Sequence, residues 1–208
     1  MEPDVVQQTR CSYDRVAVDY DRRAATVTPE YVAFRDTFAA DALGRGGPVA
    51  DLGCGPGRDL LALRAAGLPA VGLDLSAGML AVARARGVPV VRGDLRQPPL
   101  RPGSLAGLWS NAALLHVPRP DVPATLAAWH DLLRPGGSLG LSTSLGDTDG
   151  WELVPYAGDD PQGGELHRWF VHHDRNGLLE LLGGAGFTVT SCQERTSHRT
   201  WAMVRASA

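Results

Sequence analysis

Short apolar runs that end in a polar residue alternate with amphipathic segments through the middle of the chain. The runs cover residues 49–52, 70–74 and 88–92, and a segment with helical spacing of its apolar positions follows each of the first two. Short continuous apolar runs are typical of strands buried on both faces of a parallel sheet. The alternation therefore predicts an α/β fold in which right-handed crossovers join parallel strands.

The two ends of the chain carry other patterns. Residues 5–43 are predicted to be helical, with Asp4 capping a first helix and Thr28-Pro29 starting a second. After the third strand, the patterns predict strands at 105–110 and 138–145, a helix at 121–133, a helix that Asp174 caps, and an antiparallel pair of strands at 187–192 and 199–204.

The segment between the fifth strand and the last helix is the least regular. Residues 146–165 are rich in acids, glycines and prolines and predict a mobile loop, with a small strand at 166–171 beside it. Trp151 and Tyr156 would sit where the fifth strand opens, so they are candidates for an aromatic, acidic acceptor pocket together with Asp147 and Asp149. The alternative is a solvated surface excursion.

A glycine turn follows the first strand in Asp51-Leu52-Gly53-Cys54-Gly55-Pro56-Gly57. Glycines at alternate positions leave the backbone open to a ligand, although such a turn also serves as a tight connection without one. Asp51 stands at the carboxyl end of the strand, where open α/β sheets bind ligands. Its charge would repel a pyrophosphate and favour a cationic ligand.

Two more acids follow strands in the same way. Asp74 ends the second strand, and an acid at that place can accept both hydroxyl groups of a ribose. Asp94 follows the third strand, where its carboxylate could accept an adenine amino group while Leu95 covers the ring. The three strand ends together predict a nucleotide-sized site.

Three more motifs follow the glycine turn: Gly72-Leu73-Asp74-Leu75-Ser76, Gly93-Asp94-Leu95 and Leu132–Leu139. With these motifs in the right order, nearly the whole chain resembles the class I S-adenosylmethionine-dependent methyltransferases that act on small molecules. The resemblance implies a Rossmann-like, doubly wound, mostly parallel seven-stranded sheet with an antiparallel terminal strand, and S-adenosyl-L-methionine as the cofactor. The cofactor-binding residues expected on this basis are Tyr20, Asp51, Gly53, Cys54, Gly55, Gly57, Asp74, Leu75, Met79, Asp94, Leu95 and Asn111.

The resemblance also divides the chain. Residues 1–44 are expected to form an N-terminal helical lid and residues 45–208 the cofactor-binding domain, with a variable substrate loop near 146–170. The spacing of Tyr13 and Tyr20 resembles that of lids in which a tyrosine closes over the cofactor. The alternative is that both tyrosines pack an amphipathic helix onto the body of the protein.

Residues on the acceptor side are less clearly marked. His116 follows the fourth strand, and its imidazole could remove a proton from a hydroxyl or phenol acceptor, although a lone histidine is often a hydrogen-bonded structural residue. Asn111 cannot act as a base, which argues against base-driven N-methylation through that position. Tyr13, Trp151 and Arg168 are the candidates for binding the substrate.

Composition narrows the class of partner. The 208 residues are 44% hydrophobic and 21% charged with a net charge of -3, so nothing suggests a basic face for nucleic acid and a small-molecule acceptor is expected. Cys11, Cys54 and Cys192 are too few and too widely spaced for a disulfide framework or a zinc site, and no metal is expected. The absence of a signal-peptide pattern and of a long apolar run predicts a cytoplasmic protein without membrane contact, and leaves the oligomeric state open.

The predicted function is methyl transfer from S-adenosylmethionine to an oxygen, nitrogen, sulfur or carbon nucleophile. One alternative is a nicotinamide-dependent oxidoreductase on a Rossmann sheet, but the turn lacks the sixth-position glycine of that fingerprint and Asp51 would face phosphates. Another is a relative that binds the cofactor without transferring its methyl group.

Overall fold

The structure, a computed structural model, describes residues 4–24, 26–154 and 165–208. The helices are α1 (Val5–Arg23), α2 (Pro29–Arg45), α3 (Arg58–Ala65), α4 (Ala77–Ala85), α5 (Val122–Leu132) and α6 (Arg175–Gly184). The strands are β1 (Val49–Leu52), β2 (Ala70–Asp74), β3 (Val90–Arg92), β4 (Leu105–Asn111), β5 (Leu133–Leu145), β6 (Gly150–Leu153), β7 (His167–Phe170), β8 (Thr188–Thr196) and β9 (Thr200–Ser207). Two single turns of 3-10 helix, Leu114–His116 and Arg119–Asp121, lie between β4 and α5.

Seven strands form one sheet in the order β3-β2-β1-β4-β5-β9-β8. The pairs from β3 to β5 are parallel, whereas β9 is antiparallel to both of its neighbours. This confirms the predicted sheet, including its antiparallel last strand. The chain turns back at β1, which lies between β2 and β4, so the carboxyl ends of β1 and β4 form the switch point at which such sheets bind ligands.

Apolar side chains cover both faces of the sheet. On one face, α5 and α6 bury Trp129, Leu126 and Leu178 against the central strands. On the other face, the rings of Phe34 and Phe38 in α2 lie 5.0 and 5.1 Å from that of Trp109 in β4. Burial of these apolar side chains stabilises the fold and packs the strands whose ends form the switch point.

The first helix is fastened to the start of α4. Asp14 Oδ1 accepts a hydrogen bond of 2.7 Å from the Ser76 hydroxyl and one of 2.9 Å from the Gly78 backbone N–H. Asp14 thus satisfies a donor at the N-terminus of α4 that the helix itself leaves unpaired. The two backbones are close, because a Cβ built on Gly78 would lie 2.5 Å from the Asp14 carbonyl oxygen.

The same helix is fastened to β7 on its other side. The Trp169 backbone N–H donates to Thr9 Oγ1 at 2.9 Å, and the Ser12 hydroxyl donates to the His167 carbonyl at 2.6 Å. Thr9 and Ser12 are both buried. The N-terminal helix therefore bridges α4 and β7 across the carboxyl edge of the sheet, and its opening as a lid stays a prediction.

Replacing Gly78 with alanine should loosen α1 without melting the core. The added methyl group would overlap the Asp14 backbone, although alanine is intrinsically the better helix former by roughly 1 kcal/mol. We expect faster tryptic cleavage at the arginines of α1. The matched control is Gly183→Ala in α6, where a new Cβ meets nothing within 4 Å and should be neutral or slightly stabilising. Equal cleavage rates in both variants would contradict this role of Gly78.

Two elements differ from the predictions. The expectation of a single loop over 146–165 is wrong for residues 150–153, because Trp151 in β6 pairs with Trp169 in β7, and their rings lie 5.4 Å apart. Such aromatic cross-strand pairs stabilise a hairpin. The small strand expected at 166–171 is β7, whereas Tyr156 lies outside the described residues. The fifth strand begins before residue 138 because Leu133 already pairs with Leu105 and a bulge absorbs the residues between.

Two further properties concern the described residues alone. None of their helices is both long and apolar enough to cross a membrane. In the same part of the chain, no three histidine, cysteine, aspartate or glutamate side chains gather closely enough to hold a metal ion.

Candidate active site

The glycine turn after β1 is open at its middle position. Gly53, Gly55 and Gly57 have φ angles of +77°, +53° and +81°, a region that other residues rarely adopt. A Cβ on Gly53 would lie 2.2 Å from the Ala113 Cβ, and one on Gly57 would lie 3.1 Å from the Ala83 Cβ. On Gly55 it would meet nothing within 4 Å. Gly53 and Gly57 are thus required by packing, while Gly55 leaves empty space at the cavity.

Asp51 carries a buried carboxylate with an unsatisfied oxygen. The residue is 2% exposed, and its Oδ2 has no hydrogen-bond partner among the described residues. Burial, reinforced by the neighbouring charge of Asp59, raises the pKa of Asp51 well above its usual value. A cationic donor placed against Oδ2 would satisfy this oxygen and would lower the pKa of Asp51 again. Asp51 therefore favours a positively charged group of a ligand at this end of the site.

The neighbouring acid, Asp59, is already compensated. Its Oδ2 accepts hydrogen bonds from the Tyr31 hydroxyl at 2.5 Å and from Arg58 Nη2 at 2.9 Å. Asn111 Nδ2 lies 3.4 Å from the same oxygen. Arg58 and Asp59 were missed in the sequence analysis, although they directly follow the glycine turn. They leave Asp51 as the acid at this end that still lacks a cation.

Asp74 lies at the end of β2 and holds the glycine turn from the side. Its Oδ2 accepts from the Gly55 backbone N–H and its Oδ1 from the Ser76 backbone N–H, both at 2.8 Å. Burial raises the pKa of Asp74 in spite of these two bonds. The carboxylate therefore stands between two neighbouring loops of the switch point, beside the empty space at Gly55.

Asp94 is paired with an arginine that the sequence analysis did not include. Arg96 Nη2 lies 2.7 Å from Asp94 Oδ2, and Arg96 Nη1 donates to Asp121 Oδ2 at 2.9 Å. Although partial burial opposes it, the hydrogen bonds from Arg96 lower the pKa of Asp94. Arg96 thereby keeps Asp94 ionised and fixed in place.

A first cavity runs along these strand ends beneath α1, with about 770 Å³ of empty space that includes its open mouth. The predicted cofactor residues that line it are Tyr20, Gly53, Gly55, Asp74, Leu75, Met79, Asp94, Leu95 and Asn111. A smaller cavity continues from it toward Asp51 and Cys54, and Tyr20, Gly53, Gly55 and Asn111 line both.

Gly57, also among the predicted cofactor residues, packs against α4 instead of lining either cavity. Burial raises the pKa of the Cys54 thiol, so this cysteine is not poised as a nucleophile.

A second cavity, with about 930 Å³ of empty space that includes its open mouth, adjoins the first. Tyr13, Tyr20, Ala112 and His116 line both cavities. Ala112 has a φ of +54°, a strained value for a residue with a side chain, and such strain tends to occur at functional sites. The two cavities therefore meet at one junction, formed by these four residues.

Two candidates for substrate binding, Arg168 and Trp151, lie on the β6–β7 hairpin, and only Arg168 lines the second cavity. Arg168 lines the second cavity with Glu152, Leu153 and Phe170. Trp151 is not in this lining, because its ring lies edge-on against that of Trp169, its partner across the hairpin, whereas Glu152 pairs with Arg168. Proximity of Trp151 to the fifth strand in the chain does not specify which face of the hairpin carries its side chain.

His116 lies at the junction with both ring nitrogens engaged. Nδ1 is 2.6 Å from the Trp169 carbonyl oxygen, which only accepts, so Nδ1 carries the proton. Nε2 then accepts from the Tyr13 hydroxyl at 2.8 Å. Burial, partly offset by the bond to Trp169, lowers the pKa of His116 to about 3. The arrangement is that of a structural histidine and does not support the expected role as a general base.

The family model and the two relatives described here are all methyltransferases. A family model described as a methyltransferase domain matches residues 49–137. A malonyl-[acyl-carrier protein] O-methyltransferase of Laribacter hongkongensis is 35% identical over 86% of this chain and 63% of its own length. A trans-aconitate 2-methyltransferase of Deinococcus radiodurans is 44% identical over 45% of this chain and 36% of its own. The chain thus spans less than two thirds of either relative.

The fold has a close counterpart among solved structures. An S-adenosylmethionine-dependent methyltransferase from Mesorhizobium loti superposes with a TM-score of 0.66 at 25% identity. The match covers 87% of this chain and 98% of that protein.

Proposed function

The chain belongs to the class I S-adenosylmethionine-dependent methyltransferases, and we propose that it transfers the methyl group of that cofactor to a small-molecule acceptor. One observation carries the proposal. Asp51 offers a buried carboxylate oxygen that no described residue hydrogen-bonds, at the end of a cavity whose wall is open at Gly55. The amino group and sulfonium of S-adenosylmethionine are the cationic groups that such an end would favour.

The described residues fit the rest of the cofactor. Asp74 is the proposed acceptor for the ribose hydroxyl groups, since its carboxylate lies beside the empty space at Gly55. Leu75, Leu95 and Met79 supply apolar surface for the adenine ring in the same cavity. Asp94, held by Arg96, is the acceptor proposed for the adenine amino group.

The chemistry of transfer belongs to the sulfonium, which makes its methyl group electrophilic. The chain's own part is to bring the acceptor to the junction of the two cavities and to exclude water there. Tyr13 and Tyr20 line that junction from α1, so the N-terminal segment of residues 1–44 is the proposed cover. Positioning of this kind accounts for roughly 7–11 kcal/mol of barrier lowering in well-oriented reactions.

A small molecule is the proposed acceptor because the second cavity, although open to solvent at its mouth, has the size of a small-ligand site. The two curated relatives are named for a malonyl group on a carrier protein and for trans-aconitate. The proposed substrate-binding residue of the hairpin is Arg168, which lines the second cavity.

Thermal unfolding with S-adenosylhomocysteine tests the cofactor half of the proposal. At a hundred times its dissociation constant, the ligand should stabilise the fold by about 2.7 kcal/mol, or roughly 5–10 °C for a chain of this size. NAD in a parallel sample should cause no shift. A rise with NAD alone would replace the proposal by the oxidoreductase alternative, and no rise with either would reject both.

A further inference from the structure

We propose that Asp59 is a positioning residue for the cofactor. It holds the side-chain amide of Asn111 so that Asn111 Oδ1, together with Asp51 Oδ2, receives the ammonium group of S-adenosylmethionine. The inference rests on the proposed function, because it concerns the same cofactor. It goes beyond that function in naming a pair of residues that act together and the group of the cofactor that they select.

The strand register places Asp51 and Asn111 on one face of the sheet. Asp51 in β1 is aligned with Trp109 in the parallel strand β4, and aligned residues of neighbouring strands point to the same face. Asn111 follows Trp109 by two residues, so its side chain returns to that face one step closer to the carboxyl edge. The two side chains therefore lie on adjacent strands, on the face that α2 covers.

Both residues also border the space proposed for the cofactor. Asn111 lines the first cavity and the smaller cavity, so it lies where these two cavities join. Asp51 lies further along in the smaller cavity, with an Oδ2 that accepts no hydrogen bond from the described part of the chain. An ammonium group has three N–H donors, so this single oxygen would leave two of them without a protein acceptor. A second oxygen at the join would satisfy one more.

Asp59 itself is already fully engaged. It is 6% exposed, and its Oδ2 accepts from the Tyr31 hydroxyl at 2.5 Å and from Arg58 Nη2 at 2.9 Å. Burial, reinforced by the charge of Asp59, raises the pKa of Tyr31 well above its usual value, so its hydroxyl keeps the proton that it donates. Arg35 Nη1 lies 3.7 Å from Asp59 Oδ1. Asp59 is therefore a fixed hydrogen-bond acceptor between α2 and α3.

The Asn111 amide has one orientation that suits this acceptor. A carboxylate that pairs with guanidinium groups only accepts, so the amide must turn its NH₂ group toward it, and Asn111 Nδ2 lies 3.4 Å from Asp59 Oδ2. The bond is long, but the opposite orientation would place Asn111 Oδ1 against a negatively charged oxygen. With Nδ2 turned to Asp59, Oδ1 is the amide atom left for the join of the two cavities.

This orientation decides the sign of the interaction with the cofactor. An amide oxygen attracts an ammonium group, whereas an amide NH₂ group repels it. An asparagine also supplies the oxygen without a further buried charge. Burial and the neighbouring charge of Asp59 already raise the pKa of Asp51, and a third carboxylate at position 111 would add to that repulsion.

The experiment compares two ligands that differ in the amino group alone. One is S-adenosylhomocysteine, and the other is its desamino analogue, which keeps the carboxylate, the thioether and the nucleoside. Both dissociation constants are measured by calorimetry on the full chain. We expect the parent protein to bind S-adenosylhomocysteine about a hundredfold more tightly than the analogue, because two oxygens receive the amino group. The ratio of the two constants within one variant does not depend on the fraction of folded protein.

Two variants should lower this ratio about tenfold, the value of one charged hydrogen bond. Asn111→Leu keeps the size of the side chain but offers no oxygen. Asp59→Asn keeps the shape of the carboxylate but can turn an NH₂ group of its own toward Asn111, so the orientation of the Asn111 amide is no longer fixed. The control is Asp36→Asn, because Asp36 is exposed and pairs with the same Arg35, at 3.0 Å from Nη2. It should leave the ratio unchanged.

The double variant tests whether Asp59 acts through Asn111. If it does, Asp59→Asn should lower the ratio no further once position 111 carries leucine. A merely structural role of Asp59 would weaken the binding of both ligands to the same extent and would leave the ratio as it is in the parent protein.

The possible results are distinguishable. Lower ratios in both single variants, without a further fall in the double variant, support the inference. Equal losses for both ligands in Asp59→Asn, or a ratio near one in the parent protein, would overturn it while the proposed methyltransferase function stands. An unchanged ratio in Asn111→Leu overturns it even if Asp59→Asn does not fold. A parent protein that does not bind S-adenosylhomocysteine would reject the proposed function itself.

Discussion

Gly55→Ala should weaken the binding of S-adenosylhomocysteine by about a hundredfold while costing the fold only about 1–2 kcal/mol. The new methyl group meets no protein atom within 4 Å, so it would project into the empty space where the cofactor backbone is proposed to lie. The cost to stability comes from the φ of +53°, which disfavours any residue with a side chain. The measurement is calorimetric titration of the variant together with its thermal unfolding.

The control for this prediction is Gly87→Ala. Gly87 has a φ of +73° and no atom within 4 Å of a built Cβ, but it follows α4 outside the described cavities. The two variants should lose stability to a similar extent, and only Gly55→Ala should lose affinity. If both variants bind S-adenosylhomocysteine with the affinity of the parent protein, the cofactor does not occupy the space at Gly55.

Asp51→Asn should have opposite effects on the free protein and on the complex. Without ligand, the substitution removes a buried charge whose Oδ2 has no hydrogen-bond partner in the described part of the chain, so the free protein should melt a few degrees higher at pH 8. With ligand, it removes the proposed partner of the cofactor's cationic end, so affinity should fall about ten- to hundredfold. The exposed control, Asp131→Asn, should change neither.

The pH dependence of this effect has a defined sign. Because burial raises the pKa of Asp51 in the folded protein above its unfolded value, the folded state binds the proton more tightly. Stability from this group is therefore present below the unfolded pKa and is lost as the pH rises toward the folded pKa. Asparagine does not titrate, so the advantage of the variant should grow upward from about pH 4. A variant less stable than the parent at pH 8 would contradict the account.

The sequence was most informative at the strand ends. Asp51, Asp74 and Asp94 each follow an apolar run, and parallel strands bring their carboxyl ends to one edge, so their proximity followed from the pattern alone. The positive φ of the glycines was equally readable, since a turn between a buried strand and a helix needs it. The order of the motifs then added the antiparallel last strand through the family resemblance.

The acceptor side could not be predicted in the same way. Arg199 and Glu152 are far apart in the chain, and only the β6–β7 hairpin brings their side chains together beside β9. The face of Trp151 depends on the register of that hairpin, which the composition of the segment does not specify. The hydrogen bond at His116 Nε2 depends on Tyr13, which lies on a helix for which the sequence does not distinguish a lid from a packed position.

The most direct test of the cofactor site is a crystal structure of the protein with S-adenosylhomocysteine. We expect the ribose hydroxyl groups within hydrogen-bond distance of Asp74 and the amino group of the ligand against Asp51 Oδ2. The sulfur should lie at the junction lined by Tyr13, Tyr20, Ala112 and His116. A ligand bound elsewhere, or an Asp51 Oδ2 that stays without a partner in the complex, would contradict it.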